Sequence, residues 1–563
     1  MNARVTSIPM LDWLPSYRKG WLRFDLVAGM TAAAVVIPKA MAFAAIAGLP
    51  LVVGLYTSLV PLVIYAVMGT SRPLSVTTTS TIAILTLATL NRVVPGGDPA
   101  TLMAAAATLA LLTGGYLLLA GILRLGAIAN LISDPVLIGF KAGIGMIIVL
   151  DQIPKMLGVH ISKSSFFHDI AAIIRHLPET SIPTLVLALA MLALMVGMEH
   201  FTPRVPAPLV AVAFGIAVSA FFGLDKIGVG LVGTVQAGLP AFALPDLSLA
   251  KQLWPDAMGI ALMSFIETAA AGRAFIKQGE PHPDANRELV ALGMANLAGC
   301  LFSNMPAGGG TTQTAVNNGA GARSQVAGLV AAAVVMATLL FLAPLFSLMP
   351  HATLAAVVVI ASVGLVSPAE FRAIRKIRSM EFSWALVAFA AVLLLGTLKG
   401  ILAAVAVSML ALIHHANRPP IFVLGRKPGT NVFRPLSPEH PEDETYPGLL
   451  LLRPEGAMYF ANAFRIAERM RALVLEFRPK VLVFDASAMP DIEFTALMML
   501  NEGERNMQED GAVLWMAALN HAPLLAIQNS PLGERLGHER MFFTLEQAVE
   551  KYLRELEEAR PGS

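Results

Sequence analysis

Arg72-Pro73-Leu74-Ser75-Val76-Thr77-Thr78-Thr79-Ser80-Thr81 is a short, proline-led, hydroxyl-rich break in an otherwise apolar run. Pro306-Ala307-Gly308-Gly309-Gly310-Thr311-Thr312-Gln313-Thr314 has the same character in the second half of the chain. Paired broken segments at matching places in two hydrophobic halves point to a transport site. Helices starting near Ser75 and Gly310 would each present unpaired N–H groups and about half a positive charge at one spot, which suits an anion. The glycines let the backbone approach an oxyanion closely. The plainer reading is helix packing through small residues.

The composition around these segments asks for a membrane. Of 563 residues, 56% are hydrophobic and 14% charged, with a mean hydropathy of +0.67, whereas soluble domains average about 25% charged. A soluble enzyme and a disordered chain are both excluded. The single Cys300 rules out a disulfide framework and a cysteine-built metal site, and the histidines lack metal spacing, so no metal and no cofactor is expected. The basic residues lack interleaved aromatics, so nucleic acid is not indicated. Early prolines and Asp12 interrupt any leader-like run, so no cleavable signal is expected. Gly228-Val229-Gly230-Leu231-Val232-Gly233 matches a dinucleotide-binding pattern, but Gly238 and Pro240 follow where a helix is required.

Apolar runs are read as spans near 26–47, 51–68, 102–123, 135–153, 182–200, 206–223, 254–272, 288–302, 324–349, 352–366, 382–397 and 399–416. With 74–90 and 308–318 the count is about fourteen crossings, each run long enough or placed between spans. Even parity leaves both ends on one side. Arg72, Arg124, Arg204, Arg273, Lys277, Arg287, Arg323, Arg372, Arg375, Lys376 and Arg378 make that side cytoplasmic, against Arg92, Lys155, Lys163 and Arg175 outside. A shift of 228 positions lays Met30 on Met258 and Lys39 on Glu267, which relates the two halves.

A charge as deep as Lys39 costs roughly 2.5–3.5 kcal/mol on insertion scales, so it faces a polar cavity or a partner. Glu267 poses the same question in the second half, where a carboxylate withdrawn from water suits proton coupling. The plainer reading of each is a structural ion pair, even with one another. Lys141 reads as snorkelling, and Asp151 and Lys155 as interfacial.

After His415 the texture changes: 21 of the 38 acidic residues lie between Glu439 and Glu558. The expected domains are a cytoplasmic start 1–24, a transmembrane domain 25–417, a linker 418–447 and a small α/β domain 448–558. Strands are expected at 449–452, 457–460, 481–484 and 512–519, and helices at 461–476, 494–508 and 545–557. No phosphate loop occurs there, and no enzymatic activity is expected.

Gly54-Leu55-Tyr56-Thr57-Ser58, Tyr65 and Gly69-Thr70-Ser71-Arg72 resemble the diagnostic stretch of the SulP (sulfate permease) family. Asp25 to Gly29, Ile37-Pro38, Ala40 to Phe43, Arg287-Glu288-Leu289, Asn296, Thr314 to Asn317 and Gly321-Ala322-Arg323 resemble its other signatures, and the tail resembles a STAS domain. The resemblance implies a homodimer of fourteen-helix protomers built as 7+7 inverted repeats, with core and gate domains moving in elevator fashion. It implies a substrate-binding set of Lys39, Phe43, Ser75, Val76, Thr77, Thr78, Gly309, Gly310, Thr311, Thr312 and Gln313, with Glu267 in the eighth helix. Many members carry Gln at position 39 and Arg at position 313, so a fixed positive charge has moved from helix ten to helix one. The common Gly-Pro after Ser75-Val76 is replaced by Thr77-Thr78. In the tail, Thr495 aligns with the phospho-acceptor position of regulatory relatives; a simple helix cap is the plainer reading.

The function expected is secondary active transport of a small anion (sulfate, bicarbonate or a dicarboxylate) across the inner membrane, coupled to protons through Glu267. Alternatives are a passive anion channel, a sodium-coupled bicarbonate symporter and a membrane-tethered regulatory module. Ala270 and Ala271 offer sodium no oxygen ligands.

Overall fold

The computed structural model describes residues 9–558 except 16, 128–132, 162–164, 203–204, 234, 236, 277–282 and 418. Arg4, Lys163, Arg204, Lys277 and Arg418 therefore lie outside the described residues. The chain divides into two units, Met1–Met409 and Leu410–Ser563.

The first unit is helical. Its elements are α1 (Leu22–Ile46), α2 (Leu51–Met68), α3 (Ser80–Val93), α4 (Pro99–Ile122), α5 (Asp134–Leu157), α6 (Ile182–Phe201) and α7 (Ala207–Phe222). The second set is α8 (Ala250–Ala274), α9 (Ala285–Cys300), α10 (Thr311–Gly319), α11 (Val326–Ala337), α12 (His351–Val363), α13 (Ser379–Leu395) and α14 (Thr397–Ala416). Among the described residues, seven helical stretches are long and apolar enough to cross a membrane, and four shorter helices are apolar. The remaining three, α8, α9 and α10, carry the polar residues described below. The 228-position shift lays α1 on α8 end to end, both of 25 residues.

Close approach of backbones explains the small residues. A side chain at Gly54 of α2 would fall 2.0 Å from the Ala40 carbonyl oxygen of α1. Gly114 of α4 and Gly293 of α9 face one another in the same way, each within 3.0 Å of the other's carbonyl. With lipid as apolar as leucine, such contacts and buried hydrogen bonds hold helices together.

The broken segments form two short strands, β1 (Val76–Thr77) and β2 (Gly308–Gly309), paired antiparallel with Val76 opposite Gly309. This corrects the expected helix start near Ser75. The chain stays extended to Thr79, and α3 begins at Ser80 with Thr79 as its cap, accepting from the Ile82 N–H. Three consecutive β-branched threonines favour the extended form, and pairing with β2 satisfies it. In the second half α10 begins at Thr311 with Gly310 at the cap position.

The second unit holds a sheet of β3 (Ile421–Arg426), β4 (Phe433–Pro435), β5 (Leu449–Pro454), β6 (Val481–Asp485), β7 (Val513–Ala517) and β8 (Met541–Phe542), in the order β4-β3-β5-β6-β7-β8. Strands β5 to β8 run parallel, and β3 is antiparallel to β5. Leu450, Leu452, Leu482, Phe484, Leu514 and Met516 pack on one face with α15 (Phe460–Phe477) and α16 (Phe494–Glu509). Leu449, Leu451, Val481, Val483 and Trp515 pack on the other, with the closing helix Leu545–Glu558. Both faces are covered, as parallel strands require.

Two expectations fail here. The stretch 418–447 is no plain linker, because β3 and β4 lie in it and join the sheet; its prolines and acids mark the turns rather than the whole. Ala457–Phe460 is not a strand. Met458 makes a single bridge to Ile492, and α15 starts at Phe460, where Asn462 and Tyr459 form reciprocal cap bonds.

Candidate functional site

The β1–β2 crossing is buried in the first unit, so its backbone groups need partners. The Ser75 N–H donates to Thr314 Oγ1 at 3.2 Å and the Gly310 N–H to the Ser75 carbonyl at 3.1 Å. The Gly309 N–H donates to Thr268 Oγ1 at 2.7 Å. Asn296 clamps Ala307 from both sides, accepting from its N–H at 2.8 Å and donating to its carbonyl at 3.1 Å. Asn317 donates to the Pro73 carbonyl, and Gln325 to those of Ser71 and Leu74. Sequence reasoning did not assign Thr268 or Gln325 to the crossing. The available signal was polar residues inside helices that otherwise need none.

The predicted site residues come together unevenly. Ser75, Val76, Thr77, Thr78, Gly309, Gly310 and Gln313 form one buried cluster. Gln313 Nε2 donates to Thr77 Oγ1 at 2.6 Å, bridging the two breaks. Thr78 Oγ1 is buried with no partner among the described residues. Thr311 and Thr312 are exposed at the start of α10. Phe43 is buried and Lys39 half-buried, one turn apart on the same face of α1. Helix α1 packs on both α3 and α10.

Glu267 is buried, and each carboxylate oxygen accepts a hydroxyl at 2.7 Å, Oε2 from Thr79 and Oε1 from Thr81. It thus grips the first turn of α3. The alternative pair between Lys39 and Glu267 does not form. Lys39 makes no hydrogen bond or ion pair among the described residues. In the second unit Thr495 is the second residue of α16 and exposed; Glu493 holds the cap position, so Thr495 is not the cap.

Two further carboxylates pin the frame, both from quoted motifs whose bonding the sequence did not disclose. Asp25 accepts from the N–H groups of Arg323 and Ser324 and from Ser324 Oγ. Glu288 accepts from the Tyr65 hydroxyl at 2.7 Å and from the N–H and hydroxyl of Thr70. They tie α1 and α9 to the turns that lead out of α10 and into β1. The arrangement is a hydrogen-bonded polar crossing between two helix starts, and α1, the helix that carries Lys39, packs on both of those helices.

The comparisons with known proteins give the family. The sulfate permease family model matches residues 22–388 and the STAS domain model residues 440–548. A "probable sulfate transporter" of Mycobacterium tuberculosis is 35% identical, covering 98% of this chain and 100% of its own. The chloroplastic sulfate transporter 4.1 of Arabidopsis thaliana is 31% identical over 97% of this chain and 82% of its own. The murine anion transporter Slc26a9, solved in the inward-facing state, superposes with a TM-score of 0.88 at 23% identity, over 97% of this chain and 96% of that one. The transmembrane domain of the cyanobacterial bicarbonate transporter BicA superposes with a TM-score of 0.62 at 26% identity, over 69% and 98%. The match of the sulfate permease model to most of the chain, the STAS match to its tail and relatives 35% identical over nearly its whole length place this chain in the sulfate permease family of membrane anion transporters.

Proposed function

We propose that the protein is a proton-coupled secondary transporter of a small anion, with sulfate the first candidate, working by elevator-type alternating access as a homodimer in the inner membrane with its N-terminus and STAS domain in the cytoplasm. The observation that carries the reading is the antiparallel β1–β2 crossing, from which α3 and α10 start at Ser80 and Thr311, with α1, the helix of Lys39, packed on both. Helix starts and a lysine favour a negative solute, and Gln313, Thr77 and Thr78 supply neutral hydrogen-bonding groups around it.

Glu267 supplies the coupling. As a carboxylate it accepts from both Thr79 and Thr81. Once protonated, it has an O–H that must donate, so one threonine hydroxyl loses its acceptor. Thr79 also caps α3, so a proton on Glu267 loosens the helix start that faces the anion. Sulfate is preferred because relatives covering nearly the whole chain carry sulfate in their names; bicarbonate is the competitor to test, given the fold shared with BicA.

Proteoliposome uptake of labelled sulfate decides the matter. An inward proton gradient should drive accumulation, and unlabelled bicarbonate should compete weakly. Accumulation driven by sodium instead, or currents reversing at the anion's Nernst potential without any proton dependence, would overturn the proposal.

A further inference from the structure

The apolar run His351–Ile377 is long enough to be one span, yet it is two helices. Helix α12 ends at Val363, and a separate ten-residue helix runs Pro368–Ile377. Ser367 caps it by accepting from the Glu370 N–H, and Pro368 takes the first helical position, where a missing N–H is harmless. Four residues, 364–367, separate it from α12, and Arg378 alone separates it from α13. At no more than about 3.6 Å per residue, such tethers hold the helix at the membrane surface. Phe371 meets Phe382 in the first turn of α13 edge-on, with ring centroids 6.3 Å apart.

The exposed side of this helix has two chemistries. Arg372, Arg375, Lys376 and Arg378 all reach solvent. Beside them Ile377 is 78% exposed and Met380 38%. The Arg375 guanidinium stacks 5.8 Å from the centre of the Phe382 ring, Arg378 lies 3.6 Å from Glu381, and Lys376 has no ion pair among the described residues. Glu370 and Glu381 are the only carboxylates between 368 and 381. A short helix with a cationic stripe and an adjoining bare isoleucine, held at the bilayer surface by both its ends, matches an interfacial element.

We propose that Pro368–Ile377 with Arg378 is a binding site for anionic phospholipid. Headgroup phosphates engage Arg375, Lys376 and their neighbours, while Ile377 and Met380 enter the acyl boundary. The lipid then fixes the junction of α12 and α13 against the plane of the membrane. This inference rests on the membrane fold and not on the anion or the coupling ion, so its test does not need uptake.

Native mass spectrometry of the intact detergent-solubilised protein, titrated with phosphatidylglycerol and phosphatidylcholine, measures the preference. Each surface cation near anionic lipid contributes roughly fivefold. The natural protein should favour phosphatidylglycerol, and R375Q/K376Q should lose about tenfold or more of that preference. R375K/K376R should keep it, which separates charge from packing. R18Q/K19Q removes the same charge from the N-terminal segment and should also keep it. An unchanged preference in R375Q/K376Q, or an equal loss in R18Q/K19Q, overturns the site. Displacement of phosphatidylglycerol by millimolar inorganic phosphate overturns it in favour of a free-anion site.

Discussion

Lys39 and Glu267 fall on each other under the 228-position shift, on helices of equal length, but their surroundings are opposite. Both oxygens of Glu267 are held by threonine hydroxyls, whereas Lys39 has no hydrogen-bonded partner among the described residues. A buried charge that is fully bonded in the resting protein is a latch, since removing its bonds needs a chemical change such as protonation. A charge left unbonded retains its capacity for a solute. On the proposed function the repeat gives one position two jobs, a latch at Glu267 and a solute contact at Lys39.

The largest effect expected is at Lys39. Losing the lysine that would pair with the bound anion costs about 2–5 kcal/mol, so K39Q should raise the apparent sulfate KM or lower uptake by about 100-fold. K39R should retain more. Q313R in the K39Q background restores a positive charge across the same crossing and should recover part of the loss. Normal uptake by K39Q, with no effect of Q313R, would refute the exchange of charge between α1 and α10.

A smaller and qualitatively different effect is expected at Glu267. E267Q keeps one acceptor oxygen for a threonine hydroxyl but cannot take a proton. Accumulation driven by a pH step should vanish, while sulfate–sulfate counterflow falls no more than about tenfold, the equivalent of one lost hydrogen bond. Loss of both activities together would make Glu267 a structural pin and end the contrast with Lys39.

The two threonines sharpen the comparison further. Thr81 only donates to Glu267, while Thr79 donates and also caps α3. T79V should therefore lower thermal stability by about 1 kcal/mol more than T81V, the usual worth of a helix cap. Both should shift the pH dependence of uptake by a similar amount. Equal stabilities would show that the Thr79 cap contributes little.

Much of this was readable from residue types alone. The spans, the repeat and the two breaks follow from hydropathy and from Pro, Gly and Thr placement, which are local signals. The helix start at Ser80 was not readable, because whether Ser75 to Thr79 coils or extends depends on Gly308 and Gly309, more than 200 positions away in the chain. The bonds of Asp25 and Glu288 were hidden for the same reason. Each residue lies in a recognisable motif, but its partners sit in another. Strands β3 and β4 were missed because proline and acid punctuation outweighed a six-residue run whose pairing partner, β5, came later.

The STAS tail supplies a control in which a paired charge should not touch transport. Arg434 donates to Asp443 through both Nε and a terminal nitrogen, each at 2.8 Å, the fork geometry that favours the ionised carboxylate. These bonds hold the Asp443 carboxyl below its usual range. A group whose pKa is lower in the folded state adds stability above its unfolded pKa, about 3.9, and loses it as the pH falls through the folded value. D443N should therefore lower the thermal midpoint at pH 7, and its deficit should shrink below about pH 4 as the natural carboxyl takes up its own proton. Proton-driven uptake at neutral pH should be unchanged, because Asp443 belongs to the sheet-bearing unit and the β1–β2 crossing to the helical one. A change in the pH dependence of uptake in D443N would mean that Glu267 is not the group that senses the proton.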